Sequence, residues 1–139
     1  MAGKLHATAK LIENLRIVVD NGRAHSVCLD LPPELGTNMG PTALELALMG
    51  YAGCFATIFA LTAQKMRFPI RDLEVKLDAI KSEETGTIAE VNLDVEVSTN
   101  APEDRINRIL ELTKKCPVGK IFENAGVKIG YNLKIEKPV

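Results

Sequence analysis

Residues 41–66 read PTALELALMGYAGCFATIFALTAQKM, and this stretch decides the fold. It opens on Pro41, which suits the first turn of a helix because a proline lacks only an N–H that has no helical partner there. From there to about Met66 almost every residue is apolar or small. A helix that is apolar on every side is buried on every side. Phe68-Pro69 stops it. The apolar part, Leu44 to Ala63, approaches the length of a membrane span, but it carries Glu45 and several small residues and also suits the buried helix of a small protein. No membrane association is expected. A chain of 139 residues is expected to form one domain over residues 1–139. One such chain can hardly enclose this helix alone, so a homodimer wrapped around it is expected.

The flanks of the helix read as strands. Upstream, Leu5, Ala7, Ala9 and Leu11 alternate with polar neighbours, as do Leu15, Ile17 and Val19. Asp20-Asn21-Gly22 is a hairpin-type turn signal, and a third strand follows with Val27, Leu29 and Leu31 on one face. Downstream, Leu73, Val75 and Leu77, then Ala89, Val91, Leu93, Val95 and Val97, form two strands joined by a turn at residues 83–86. Pro102 and the acids after it start a second helix, with Ile106, Ile109, Leu110 and Thr113 as its inner stripe. A short turn through Ile121 and Phe122 leads to a last strand from Val127 to about Ile135. The expected class is α+β, with helices packed on antiparallel sheet.

Hydrophobic residues make up 46% and charged residues 25% of the chain, a globular balance rather than a disordered one. The net charge of −1 and the lack of a Lys/Arg cluster argue against nucleic acid as a partner. No His/Cys/Asp spacing suggests a metal, and no glycine loop suggests a phosphate cofactor. The N-terminal residues lack a signal-peptide core, so a cytoplasmic location is expected.

Three cysteines remain to be explained. In a reducing compartment, well-placed cysteines suggest transient redox chemistry more than stapling. Cys54 lies midway along the long helix, between Gly53 and Phe55. Gly50 and Gly53 each cost a helix about 1 kcal/mol relative to Ala, so they imply close approach of a backbone or a substrate. Cys116 follows Lys114-Lys115 and precedes Lys120, and such neighbours favour the thiolate. Pro117 disfavours helical geometry at Cys116 itself. Cys28 alternates with Val27 and Leu29 in a strand and reads as structural.

The stretches Gly40-Pro41-Thr42-Ala43-Leu44-Glu45-Leu46, Gly50-Tyr51-Ala52-Gly53-Cys54 and Lys115-Cys116-Pro117-Val118 resemble the OsmC/Ohr family of osmotically inducible and organic-hydroperoxide-resistance proteins. With Thr42 rather than an acid after Pro41, the chain looks more like the broader OsmC-like branch. The resemblance implies an intertwined homodimer with its active sites at the subunit interface. It implies that the Cys54 thiolate attacks an organic hydroperoxide, that Cys116 resolves the sulfenic acid as a disulfide, and that an external dithiol restores both. No metal, haem or flavin is implied.

The resemblance also implies an Arg and a Glu that activate the attacking thiol. Arg16 and Arg23 are the candidates for the first, against the alternative of solvated strand residues. Glu45 is the candidate for the second. Its nine-residue offset from Cys54 puts it on the opposite side of a regular helix. A helix disturbed at Gly50 and Gly53, service to the other subunit, or a purely structural ion would each account for that. Two other readings compete with a peroxidase: a non-catalytic dimer that binds a small apolar ligand or senses redox state, and a structural disulfide.

Overall fold

The computed structural model describes residues 3–138. The chain divides into two compact units, Met1–Ala47 and Leu48–Val139.

The first unit holds an antiparallel sheet of β1 (Thr8–Glu13), β2 (Arg16–Asp20) and β3 (Ser26–Leu29), in that order. Asn14, at φ 53°, makes the left-handed corner between β1 and β2, a conformation asparagine tolerates. The predicted turn after Asp20 is present, and it is longer than a two-residue hairpin loop. Asp20 Oδ1 accepts the Gly22 N–H at 2.9 Å, and Asn21 Oδ1 accepts the N–H groups of Arg23 and His25.

The loop after β3 is organised by Asp30, whose buried carboxylate accepts four hydrogen bonds. They come from the N–H groups of Leu31, Thr37 and Met39 and from the Thr37 hydroxyl at 2.7 Å. At the end of this loop the Gly40 α-carbon lies against the Cys28 carbonyl, where any Cβ would collide. The long helix α1 (Ala43–Lys65) starts two residues after Pro41, on which the sequence opens it. Thr42 is its N-cap, because its carbonyl accepts the Leu46 N–H at 2.9 Å and its hydroxyl accepts the Glu45 N–H at 3.1 Å.

In the second unit, α1 buries a single stripe at four-residue spacing, Tyr51, Phe55, Phe59 and Ala63. By length and composition it is also the one helix among the described residues apolar enough to cross a membrane. The rest of its apolar surface is not covered by the second unit. Met49 and Leu61 are exposed, and nothing lies within 4 Å of where a Cβ on Gly50 or Gly53 would stand.

Strands β4 (Asp72–Lys81) and β5 (Ile88–Ser98) pair antiparallel, as their alternation predicts. The last strand, β6 (Lys128–Glu136), corrects the expected antiparallel sheet by joining β5 in parallel. The reason is the connection: a parallel neighbour requires a crossover, and two helices, α2 (Glu103–Thr113) and α3 (Pro117–Asn124), supply it. The α2 stripe Ile106, Ile109, Leu110 and Thr113 is buried as predicted. The segment read as a turn through Ile121 is the helix α3. Burying Val91, Leu93, Val95 and Val97 of β5 with the aromatics of α1 stabilises this unit by about 1.5–3 kcal/mol per large side chain.

Candidate active site

The second unit brings Cys54 and Cys116 together. Both thiols are free, Cys54 half-buried on α1 and Cys116 buried. Cys54 stands close enough to Cys116 to raise its thiol.

Cys116 has the extended backbone that Pro117 enforces, at φ −58° and ψ 143°, and it is the N-cap of α3. Its sulfur accepts the Gly119 N–H at 3.3 Å. Burial pushes the thiol up to about 11, the Gly119 N–H opposes this, and the charge of Cys54 raises it further. The expectation that nearby lysines hold Cys116 as a thiolate is therefore corrected. Lys114 is engaged elsewhere, with Nζ 2.8 Å from Glu111 Oε1 and 4.8 Å from the centre of the Tyr131 ring. Cys116 therefore holds its proton at neutral pH.

Aromatic side chains wall the site. Tyr51, one turn before Cys54, packs on Phe122 with ring centres 5.0 Å apart, and Phe55 stacks on Tyr131 at 5.8 Å. These are the chain's two tyrosines, and both lie near enough to Cys116 that a thiolate there would raise their phenols. Burial raises both phenols, Tyr51 well above its usual range, and their proximity to each other raises Tyr51 further while lowering Tyr131. Beside Tyr131 lies a cleft of about 290 Å³ lined by Lys114, Glu123, Val127, Ile129 and Tyr131. A cleft of similar size on β4, β5 and β6, between Ile80, Asn92 and Lys128, holds no thiol.

Arg16, Arg23 and Glu45 belong to the first unit. Arg16 donates to the Thr37 hydroxyl from Nε at 3.1 Å and from Nη2 at 2.9 Å, with Asp30 and Glu13 at 3.7 and 3.6 Å. Asp30 is lowered to about 2 by the Thr37 hydroxyl first and the Met39 N–H second, with the more distant guanidinium adding little. Arg23 sits in the β2–β3 turn, and among the described residues its guanidinium makes no ion pair. Glu45 is exposed, and its Oε1 accepts the Thr42 N–H at 2.9 Å. With the Thr42 hydroxyl this is a reciprocal capping box, a local reason for an acid in an apolar helix. The helix is unbroken at Gly50 and Gly53, so no disturbance there re-aims its side chains.

Sequence reasoning passed over Tyr51, Tyr131, Gly119 and Asp30. For the tyrosines the available signal was scarcity, two in the chain with one of them a helical turn from Cys54. For Gly119 it was N-cap spacing, three residues after Cys116. Among the described residues no group of three or more His, Cys, Asp or Glu is placed to hold a metal.

Comparison with known proteins adds to this geometry. The family described as OsmC-like protein matches residues 36–132. Protein YhfA of Escherichia coli K12 is 27% identical over 125 residues, spanning 87% of this chain and 91% of YhfA. The crystal structure of an OsmC-like protein from Mycoplasma pneumoniae superposes with a TM-score of 0.87 at 23% identity, over 98% of this chain and 99% of that one. An organic hydroperoxide resistance protein OsmC from Legionella pneumophila superposes at 0.69 with 18% identity, over 98% of each chain. At these identities the two structures speak for the fold alone. The family match over most of the sequence, on a fold that these structures share, shows that the chain belongs to the OsmC-like protein family.

Proposed function

We propose that this protein is a cysteine peroxidase that reduces organic hydroperoxides to alcohols. The observation that carries the reading is the meeting of two free thiols with divided characters, a half-buried Cys54 and a buried, proton-holding Cys116. In the proposed cycle the Cys54 thiolate attacks the distal oxygen of ROOH. The O–O bond breaks, Cys54 becomes the sulfenic acid, and the alkoxide leaves as ROH after taking a proton. The Cys116 sulfur then attacks the Cys54 sulfur, the S–O bond breaks, and the thiol proton leaves with the hydroxide as water. An external dithiol reduces the disulfide by exchange. That step suits a reducing compartment, the cytoplasm in this proposal.

A neighbouring guanidinium would favour the attacking thiolate. Arg16 or Arg23 fills that role in the proposal, with Glu45 as the carboxylate that orients it. The working unit is a homodimer, supported by the uncovered stripe of α1 at Gly50, Gly53 and Leu61 and by the exposed Leu11 and Ile12 of β1.

Stopped-flow consumption of cumene hydroperoxide by wild type, Cys54→Ser and Cys116→Ser tests the reading. Cys54→Ser should be inactive, and Cys116→Ser should complete one turnover and stop at the sulfenic acid. Equal rates in all three would end the peroxidase reading.

A further inference from the structure

Gly119 stands in the first turn of α3, and its φ lies outside the left-handed region that demands glycine. Alanine is the better helix former, so the backbone gives no reason for glycine there. The packing does. A Cβ on residue 119 would lie 3.0 Å from Cys116 Sγ and 3.2 Å from both Cε1 and the hydroxyl oxygen of Tyr51. Neither neighbour is free to withdraw. The sulfur is held by the Gly119 N–H at 3.3 Å, and the Tyr51 ring is packed on Phe122 and is buried. Tyr51 also precedes Cys54 by three residues on α1, so the ring that meets residue 119 beside the Cys116 sulfur rides on the helix that carries Cys54.

We propose that Gly119 and Tyr51 are positioning residues for Cys116, the bare α-carbon and the phenol ring forming the two walls that hold its sulfur in line with Cys54. The inference rests on the peroxidase reading for its catalytic consequence, the S–S bond that forms as the Cys54 S–O bond breaks and water leaves. The placement of the sulfur stands apart from that reading.

Two measurements on the full chain test it. In the first, one equivalent of cumene hydroperoxide is added with dimedone present, and the products are weighed by mass spectrometry. Gly119→Ala should form sulfenic acid at the wild-type rate but close the disulfide at least tenfold more slowly, so that the dimedone adduct accumulates. Tyr51→Leu should behave likewise, with Tyr51→Phe, which keeps the ring, closer to wild type.

In the second, thermal unfolding is compared for Gly119→Ala with Cys116 present and with Cys116→Ala. The substitution should lower Tm with the sulfur present and lower it clearly less without it, the remainder being the contact with Tyr51. Wild-type disulfide closure in Gly119→Ala, equal slowing of both chemical steps, or the same Tm change in both backgrounds would overturn the proposal. A wild type that forms neither sulfenic acid nor disulfide would remove the peroxidase reading, while the unfolding comparison would still decide the placement of the sulfur.

Discussion

Each unit of the chain contains a three-stranded sheet, and the two sheets differ in what they bury. In the second, every other residue of β5 from Val91 to Val97 is buried. In the first, no apolar side chain of β1, β2 or β3 is buried, and every residue of β1 is exposed. Among the described residues, the one buried side chain of this unit is the carboxylate of Asp30, in the loop after β3. Both sheets have the alternation of half-buried strands, so the pattern reports strand geometry and leaves open what covers the apolar face. One unit is held by apolar contact within the chain. The other is held by turns and a polar hub, with its apolar side chains unspent.

The sharpest way to break this contrast is to remove one large side chain from each unit. Phe59→Ala, at a fully buried position, should cost about 3–5 kcal/mol in urea unfolding. Leu11→Ala, at a residue 60% exposed, should change intrachain stability by no more than about 0.5 kcal/mol. If a second copy covers β1, the Leu11 variant should also make unfolding more dependent on protein concentration. Comparable losses from the two substitutions would erase the distinction between the units.

The thiols sharpen the same contrast between covered and open positions. With Cys116 pushed up to about 11, roughly one molecule in a thousand holds it as thiolate at pH 8. Iodoacetamide should therefore label Cys54 well before Cys116, as peptide mapping would read. The sign for stability follows from the raised value. The unfolded chain loses this proton near pH 9, while the folded chain keeps it to about 11. The stability it contributes is whole below pH 9 and is lost as pH rises through 11. Cys116→Ala should flatten the pH dependence of unfolding in that window.

In the first unit the sign is reversed. Asp30 falls from 3.8 to about 2 on folding, so its contribution is whole above pH 4 and is lost as pH falls through 2. The difference in Tm between wild type and Asp30→Asn should be constant near neutral pH and should shrink between pH 4 and pH 2. A difference that stays constant down to pH 2 would mean that the hub does not depend on the charge.

Much of the fold was legible because its elements are periodic: the long helix, the β4–β5 meander and the α2 stripe all stand where alternation or helical spacing puts them. The parallel docking of β6 was not legible, since it depends on the crossover length supplied by α3. That helix was hidden because Pro117 and Gly119 resemble a turn when their caps are unknown. Of the candidate site, Cys54 and Cys116 were the residues that their surroundings singled out. The proton affinity of Cys116 was misread because sequence shows neighbouring lysines and not burial. Glu45 stood out as a lone acid in an apolar run, and the spacing of Thr42 and Glu45 already contained its capping role.

The central claim is that Cys54 and Cys116 of one chain form a single reacting pair. Its most direct test is peptide mapping under non-reducing conditions after one equivalent of cumene hydroperoxide. The account predicts a Cys54–Cys116 disulfide within each chain, with Cys28 left as a free thiol. Reduced thiols at both positions, or a disulfide through Cys28, would contradict it.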